Sequence, residues 1–544
     1  MAVKIVDESF WHTHRYFMLH RWHDFRSIGC LQEGLRSHWL AVLGTGLWCM
    51  AAAHSVAEDT DGLSAARAIE RQFVDVISRC EGAVVSIAKV APAAGGDRLG
   101  FNPLRRPRAL DRPVDLTAQP QTFGSGVVIA SDAKDGARYV LTNYHVLEPG
   151  AAAGSSTPRE PLYVRLSNHR VVRGAVIAAD PRSDLAVLRL DLSASGIDPA
   201  DVTPIPLGDA TGIRKGQMVL ALGNPYAIAR DGSASASWGM ISNISRRAAG
   251  DGEEPPESEG GGTIHQFGTL LHVDMRLSLG TSGGALVNLD GELIGLTTSL
   301  AALEGYEKSV GFALPIDAAM RRVIDTLLQG FEVEYGFLGI QPGDVRPEEL
   351  RVLGGPADQV SAARAMFVSA GSPAESGGLR SDDLILRINE TPILSADDLM
   401  REIGLQGAGA LTHIDVWRPS RQQRFQATVT LGKWPVGDDS RIVATRRRFP
   451  AWRGMEVDYP TARRRFLTSD VMEQYHHAVL VVNAAEESAS FAAGLRPGDF
   501  ITHVGTVAVE TPAQFHNALA GQANAVTLIR LDGTQVAVPA ITDE

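Results

Sequence analysis

The sequence predicts a mainly β protein built from small barrels or sandwiches, and three observations carry that prediction. Short apolar runs bounded by Gly, Asp and Asn recur from Phe123 to about Ala301, and many short strands at such spacing close into barrels or stack as sandwiches. Glycine accounts for 55 of 544 residues, which suits a turn-dense chain. The last third repeats itself, at an offset that carries Gly378 onto Gly494 and Asp383 onto Asp499, so two related units close the chain. At ~100–200 residues per domain, this length divides into about three or four domains.

Composition narrows the function classes. The chain is 44 % hydrophobic and 21 % charged with a net charge of −12, the balance of an ordinary globular protein. Nucleic acid is excluded as a main partner, because neutralising phosphates needs clustered Lys and Arg. Disorder throughout, collagen and a multi-span membrane protein are excluded as well. Cys30, Cys49 and Cys80 match neither a zinc nor a redox spacing.

In chain order, residues 1–57 read as a leader. The apolar stretch 38–53 follows Arg26 and Arg36 and precedes small residues that end at Ala57, before the acidic Glu58 and Asp59. That is the order of a secretory signal, with cleavage after Ser55 or Ala57. Its apolar core is shorter than the ~20 residues a spanning helix needs; an uncleaved membrane anchor is the alternative. The long region before it makes Met18 a second candidate start. Trp48 before Cys49 argues against lipid attachment. His12, His14, His20 and His23 lack a carboxylate or Cys to complete a metal set.

Residues 60–82 read as a helix, with Ala65, Ile69, Phe73, Val76 and Ile77 at helical spacing. Strands begin at 83–88. A loop with five prolines fills 92–121. Further strands are expected at 126–130, 139–142, 162–166, 185–190, 218–222 and 293–298. The acidic stretch 250–262, with Glu253, Glu254, Glu257 and Glu259, has no EF-hand spacing and reads as a solvated loop. An amphipathic helix is expected over 316–330. Each repeat ends in a helix, Asp397–Ile403 and Pro512–Leu519. Residues 433–448 read as a linker whose Arg446, Arg447 and Arg448 form a solvated face. The domain boundaries are therefore 58–325, 330–432 and 449–541, around the linker 433–448.

Three segments carry the chemistry. His145 ends the apolar strand Leu141-Thr-Asn-Tyr-His-Val146. Asp184 precedes the strand in Asp180-Pro-Arg-Ser-Asp-Leu-Ala-Val-Leu188. Ser282 sits in the glycine-flanked turn Leu279-Gly-Thr-Ser-Gly-Gly-Ala-Leu286. A Ser hydroxyl is a weak nucleophile and needs a neighbouring base. His supplies it, and a buried carboxylate fixes the His tautomer and stabilises the imidazolium. Glycines around Ser282 let the backbone bring the amides of Gly280 and Ser282 toward a developing oxyanion.

These segments resemble the HtrA/Deg family of trypsin-like serine proteases. The family pattern Thr-Asn-x-His-Val lies at 142–146, Asp-Pro-x-x-Asp-Leu-Ala-Val at 180–187, and Gly-x-Ser-Gly-Gly-x-Leu-Val-Asn at 280–288. Gly124-Ser-Gly-Val-Val, Gly223-Asn-Pro and Gly311-Phe-Ala-Leu-Pro315 are further landmarks. The resemblance implies a chymotrypsin/trypsin-like double six-stranded β-barrel with His145, Asp184 and Ser282 in the cleft, and it spans about 120–320. The repeated tail resembles PDZ domains, small β-barrels with helices. The resemblance places their carboxylate-binding loops at Phe337, Leu338, Gly339 and Ile340 in the first unit, and at Trp452, Arg453, Gly454 and Met455 in the second. Arg453 replaces the usual apolar residue and puts peptide binding by the second unit in question.

Departures from the family bear on the pocket. Ser278-Leu-Gly-Thr281 stands where many relatives carry Asn-Pro-Gly-Asn, and Val273-Asp-Met-Arg-Leu277 where Thr-Asp-Ala-Ala-Ile is common. Arg276 is expected to alter the pocket mouth or a loop salt bridge. Leu277 with Thr297, Thr298 and Ser299 suggests a pocket for a small or medium apolar side chain. His265 and His272 read as loop or strand residues. The resemblance implies an extracytoplasmic location, the periplasm, for an endopeptidase that cleaves unfolded or damaged proteins. It also implies a homo-oligomer, a trimer by family precedent, whose partners are unfolded or C-terminal peptide segments. No metal and no cofactor is required. A chaperone or peptide-binding scaffold with latent proteolysis is the alternative, and a protease dedicated to one membrane-signalling substrate a third reading.

Overall fold

The computed structural model describes residues 62–89, 122–130, 136–147, 162–224, 233–246, 269–277, 280–298, 311–437, 439, 441–466, 474–522 and 524–540. The leader, its histidines, Cys30, Cys49, the 92–121 loop, the acidic stretch 250–262, His265 and Ser299 lie outside the described residues. The chain divides into two units, residues 1–70 and 71–544. The first carries the opening turns of a helix over residues 62–80; all that follows concerns the second. That helix continues the period-3.6 pattern, burying Val76 and Cys80, and gives way to a short 3₁₀ turn at Glu81–Ala83. Gln72 and Arg79 donate to the carbonyls of Leu289 and Asp290 at 2.7 and 3.0 Å. Burial pushes the Cys80 thiol up from its ordinary pKa.

The first barrel contains β1 (Val84–Lys89), β2 (Thr122–Ile129), β3 (Tyr139–Asn143), β4 (Leu162–Arg165), β5 (Val171–Asp180) and β6 (Leu185–Leu190). They pair in the order β5-β4-β1-β2-β3-β6, and β5 pairs with β6 to close the ring. The second contains β7 (Met218–Gly223), β8 (Ser235–Arg246), β9 (Leu270–Val273), β10 (Ala285–Val287), β11 (Leu293–Thr298) and β12 (Gly311–Pro315), closed as β10-β11-β12-β9-β8-β7. Closure removes sheet edges, and a ring of six strands is narrow enough for side chains to fill. Ile87, Val128, Val140 and Leu188, which share one face by register, pack in the first; Val219, Ile241, Val273, Leu286 and Ile294 fill the second. The expected mainly β, trypsin-like double barrel is present.

The helix Ala318–Leu328 follows, capped by Asp317, whose carboxylate accepts the Met320 N–H at 2.8 Å. It buries Met320, Val323, Ile324 and Leu327. Next come β13 (Gly336–Phe337), β14 (Ile340–Val345), β15 (Ala362–Val368), β16 (Leu384–Ile388), β17 (Thr391–Pro392), β18 (Leu411–Arg418), β19 (Gln423–Thr430) and β20 (Gly432–Lys433), then β21 (Val443–Ala444). The last sheet contains β22 (Met455–Asp458), β23 (Val479–Ala484), β24 (Phe500–Val504), β25 (Val507–Ala508), β26 (Val526–Arg530) and β27 (Gln535–Val538). The orders β14-β15-β16-β18-β19 and β22-β23-β24-β26-β27 coincide, with β17 and β25 hanging from equivalent strands.

The sequence repeat has a physical basis in these sheets. Ser372 and Ser488 cap equivalent short helices, Pro373–Ser376 and Ala489–Ala492, by accepting backbone N–H bonds. Asp383 and Asp499 each accept an N–H, from Arg380 and Arg496, at 2.8 Å, and each pairs with an arginine of a neighbouring strand, Arg418 or Arg530. The terminal helices, expected at Asp397–Ile403 and Pro512–Leu519, are Ala396–Gln406 and Pro512–Leu519.

Residues 433–448, expected as a linker, are packed. β20 pairs with β13, and β21 adds to the edge of β5 through Val443↔Ala179 and Ala444↔Ala178. The arginine run is also more engaged than a solvated face: Arg446 and Arg448 lie over the Phe331 ring at 5.1 and 5.4 Å, and Arg447 pairs with Glu456. Charged side chains with long apolar stems can cover an aromatic ring while the head stays wet, which a charge count does not reveal.

Candidate active site

The three sequence segments meet at the barrels. β3 ends at Asn143 and turns into the single helical turn Tyr144–Leu147, which carries His145. Asp184 lies in the turn between β5 and β6 with φ of +53°, a left-handed conformation that Asp tolerates better than most residues. The Asp184 carboxylate grips His145 twice. It accepts the backbone N–H at 3.0 Å through Oδ1, and Nδ1 lies 2.8 Å from Oδ2. The Asp184 carbonyl accepts from the Tyr144 N–H at 3.0 Å and from Asn143 Nδ2 at 3.2 Å. Asp184 is buried, whereas the His145 side chain is about one quarter exposed (24 %), so the imidazole edge remains open to a reactant.

Ser282 is buried in the turn before β10. Gly280 and Gly283 take φ of +94° and +82° there. A Cβ on Gly283 would come within 2.1 Å of the Ser125 carbonyl oxygen, so this glycine is required by space as well as by conformation. The Gly283 N–H donates to Thr297 O at 2.8 Å, the Gly284 N–H to Thr281 O at 2.8 Å, and Thr297 Oγ1 to Thr281 O at 2.6 Å. Of the residues expected to line a substrate pocket, Thr297 and Thr298 are buried on β11. The Thr297 hydroxyl is committed to the nucleophile turn. Leu277 is half-buried, and a Cβ on Gly311 would meet it at 2.6 Å. Arg276 is exposed. His272 is half-buried and stacks on Phe312 at 5.4 Å, as a strand residue would.

Ser125 is visible in the sequence only as part of the Gly124-Ser-Gly-Val-Val landmark. It is fully buried. Its N–H donates to Ser282 O at 2.8 Å, its hydroxyl donates to Gly280 O at 2.7 Å, and that hydroxyl accepts the Asn224 N–H at 2.9 Å. Its carbonyl accepts from Thr142 Oγ1 at 2.7 Å. One serine thus ties the His-bearing strand to the Ser282 turn.

A buried ionic cluster extends from the Asp184 turn toward the C-terminal repeats. Asp180 is fully buried and accepts from Arg182 Nε at 2.7 Å, from Ser183 Oγ at 3.1 Å and from the Tyr335 hydroxyl. Arg182 donates to Val333 O at 2.8 Å and lies over the Tyr335 ring. Burial, reinforced by the Asp180 charge, raises the Tyr335 pKa well above its ordinary value. Lys433 completes the cluster between Glu332 at 3.0 Å and Asp458 at 3.1 Å. Burial opposes the charges there, yet the pairing wins: Lys433 holds its proton more tightly than usual, and Glu332 lies below the usual carboxylate range because Lys433 and Arg182 face it.

The two expected carboxylate loops share a backbone shape and differ in how it is used. In the first, Phe337-Leu-Gly-Ile340, Gly339 has φ of +82°. The loop heads a cleft of about 460 Å³ between β14 and the helix Ala396–Gln406, lined by Phe337, Ile340, Leu399, Met400 and Ile403 among others. In the second, Gly454 takes the place of Gly339, with φ of +77°. A Cβ on Gly454 would come within 2.2 Å of Ser488 Cβ, as one on Gly339 would come within 2.4 Å of Ser372 Cβ. The Gly454 carbonyl accepts the Ala485 N–H at 2.9 Å, just as Gly339 O accepts from Ser369.

The rest of the second loop differs from the first. Trp452, Arg453, Gly454 and Met455 form a turn closed on itself, in which the N–H groups of Trp452 and Met455 donate to each other's carbonyls at 2.8 and 2.9 Å. Arg453 is buried there, and its guanidinium donates to the carbonyls of Asn524, Val538 and Pro539. Arg453 therefore fits the apolar position by turning its charge into backbone acceptors. Phe449 stacks at 4.9 Å on His516, which sits in the helix Pro512–Leu519 where Met400 sits in the first repeat.

Known proteins resemble this chain over both regions. Residues 124–296 match the model of a trypsin-like peptidase domain and residues 367–418 that of a PDZ domain. A probable periplasmic serine endoprotease, DegP-like, from Halomonas elongata is 30 % identical over 396 residues, covering 72 % of this chain and 73 % of that protein. A protein of the same description from Marinomonas sp. is 28 % identical over 462 residues, 81 % of this chain and 87 % of its own. Among solved structures, an HtrA-type protease, AlgW with a decapeptide, is 25 % identical and covers 67 % of this chain and 99 % of that one, with a TM-score of 0.46.

Proposed function

The chain belongs to the HtrA/DegP-type family of trypsin-like serine proteases and carries a PDZ domain, and on that premise we propose how its own residues perform the cleavage. Ser282 attacks the scissile carbonyl. His145 takes the hydroxyl proton at Nε2 and returns it to the leaving amine, giving an acyl-enzyme that water then resolves with His145 again as base. Asp184 holds the proton on Nδ1, which leaves Nε2 as the basic nitrogen. The amides of Gly280 and Ser282 receive the oxyanion, where losing one donor typically costs about 10²–10³ in rate. The observation that carries this reading is the double grip of Asp184 on the backbone and the ring of His145. That grip favours the tautomer and the orientation that present Nε2.

The substrates on this reading are unfolded or damaged proteins of the periplasm. A small or medium apolar residue enters a pocket bounded by Leu277 and β11. Residues 58–325 form the protease domain, 330–432 the first PDZ domain and 449–541 a second; the shared strand order, the paired Ser372/Ser488 caps and the matching Gly339 and Gly454 support the last. The first groove takes the C-terminal end of a peptide, which adds as a strand beside β14. The chain assembles as a homo-oligomer, a trimer by family precedent. Trp238 and Met240, exposed on one face of β8, support association with a second copy. The leader directs the chain out of the cytoplasm. Among the described residues no helix is long and apolar enough to cross a membrane.

The test is labelling by a fluorophosphonate probe together with turnover of denatured casein, with Ser282→Ala as control. Labelling and turnover by the wild type alone are expected. Suppressed aggregation that survives Ser282→Ala, with no wild-type cleavage, would replace the protease by a scaffold.

A further inference from the structure

We propose that the second repeat completes the peptide site of the first: Arg464 supplies the cation that pairs with the terminal carboxylate of a peptide seated in the groove at Phe337–Ile340. The inference rests on the reading of that groove as a peptide-end site and goes beyond it, because it makes the two repeats one binding unit.

The walls of the groove are apolar almost throughout. Arg464 is the one charged residue among those that line it. It does not belong to the first repeat. It lies on the 3₁₀ segment Pro460–Arg465, which follows β22, and reaches the cleft beside Trp434 and Pro435 of the intervening segment. Trp434 packs edge-on against Phe337, the first residue of the carboxylate loop, at 6.1 Å between ring centres. Gly437 follows two residues after Pro435, and a Cβ there would sit 3.5 Å from Arg464 Nε. These contacts put Arg464 on the cleft wall it shares with Trp434 and Pro435, and Trp434 in turn touches the loop.

The loop itself is prepared for an anion. Leu338 and Gly339 lie between β13 and β14, and among the described residues their N–H groups donate to no acceptor. Successive amides in such a turn form a concave anion site. Their carbonyls are used, by Ala374 N–H and Ser369 N–H at 2.9 Å each, so the loop is held firmly while its donors stay open. In the second repeat the ends of the equivalent loop, Trp452 and Met455, bond to each other.

Arg464 is also spare. Its neighbour Arg465 pairs with Asp439 and Asp458 at 3.3 Å, and Arg463 lies 3.5 Å from His476. No carboxylate among the described residues pairs with Arg464. The position of the segment is fixed nonetheless. Thr461 Oγ1 donates to Lys433 O at 2.7 Å, and Lys433 is clamped between Glu332 and Asp458. A guanidinium on a fixed backbone, lining the same apolar cleft as open amides, suits a carboxylate that follows an apolar residue.

The experiment measures fluorescence anisotropy of a labelled decapeptide ending in leucine, as free acid and as amide. The protein is the full chain carrying Ser282→Ala, so that the probe is not cut. The free acid is expected to bind and the amide to bind more weakly. Arg464→Ala should weaken the free acid by about three- to tenfold and leave the amide unchanged. The loss should shrink as salt rises from 50 to 500 mM, because an exposed pair is screened. Arg464→Lys should recover most of the affinity. Equal weakening of acid and amide, or no effect on either, overturns the proposal while the groove reading stands. Failure of the unsubstituted protein to bind either peptide overturns the groove reading and the proposal with it.

Discussion

Removing the Ser125 hydroxyl should cripple the nucleophile turn while the barrels persist. Ser125→Ala deletes one donor and one acceptor in a fully buried place. The Gly280 carbonyl loses its 2.7 Å bond and the Asn224 N–H its 2.9 Å bond. A buried polar group left without a partner costs about 1–3 kcal/mol, so the pair sets a range of about 2–6 kcal/mol. The lower half applies if a water enters, since both orphans would point into one small space. The backbone bond from the Ser125 N–H to Ser282 O is untouched, and the serine position itself should hold. The Gly280–Thr281 peptide is then free to rotate, and the flanking peptides that carry the Gly280 and Ser282 N–H groups lose a fixed neighbour on which their aim depends. Full loss of one donor is worth about 10²–10³ in rate; partial misplacement should lower kcat by about 10–10² with KM little changed. Steady-state cleavage of an apolar peptide anilide, with urea unfolding alongside, reads both effects. Ser125→Cys, which keeps a weak donor of similar size, should fall between the two. A Ser125→Ala enzyme with kcat within twofold of the wild type would refute the reasoning, because the hydroxyl would then orient nothing that the reaction uses.

Two further outcomes are expected. Lys433→Met leaves Glu332 and Asp458 facing each other without their shared cation; breaking a buried pair costs about 3–5 kcal/mol, and limited proteolysis should then cut within 433–448 where the wild type resists. His516, half-buried against Phe449, and His476, against Phe500, are both held below the ordinary histidine pKa by burial. The folded state therefore binds their protons less readily than the unfolded chain. The stability they contribute is complete above about pH 6.5 and is lost as pH falls through their folded values. Protection from hydrogen exchange across residues 479–538, taken relative to the intrinsic exchange rate at each pH, should fall from pH 7.5 to 5.0, and that fall should flatten in His476→Gln/His516→Gln.

Much of the architecture is legible because it is written locally. Alternating apolar runs with glycine turns specify strands, and the paired motifs around Ser372 and Ser488 specify caps that form within four residues. His145, Asp184 and Ser282 are each singled out as candidates by their flanking residues, and the folded chain brings the Asp184 carboxylate onto His145. Gly454 is legible in the same way, as the glycine a left-handed turn requires. Arg453 beside it is readable as an anomaly but not as a solution. Its charge is satisfied by carbonyls 71 to 86 residues away, and no local pattern encodes such acceptors.

Tertiary structure decided what long-range pairing alone can decide. Ser125 is an unremarked residue in a strand until closure of the barrels brings Gly280, Ser282 and Asn224 against it. Residues 433–448 carry the proline, glycine and charge of a linker, yet β21 finds the open edge of β5, and Lys433 finds two carboxylates from opposite sides. Buried charges are stable only when their partners arrive together, and those partners come from residues 332 and 458, far apart in the chain. The sequence by itself determined the strands, the repeat and the candidate reactive side chains, because those follow from neighbours. Which polar groups are buried, which are spent on one another and which remain open to a substrate depended on the folded chain, because desolvation is a property of the whole packing.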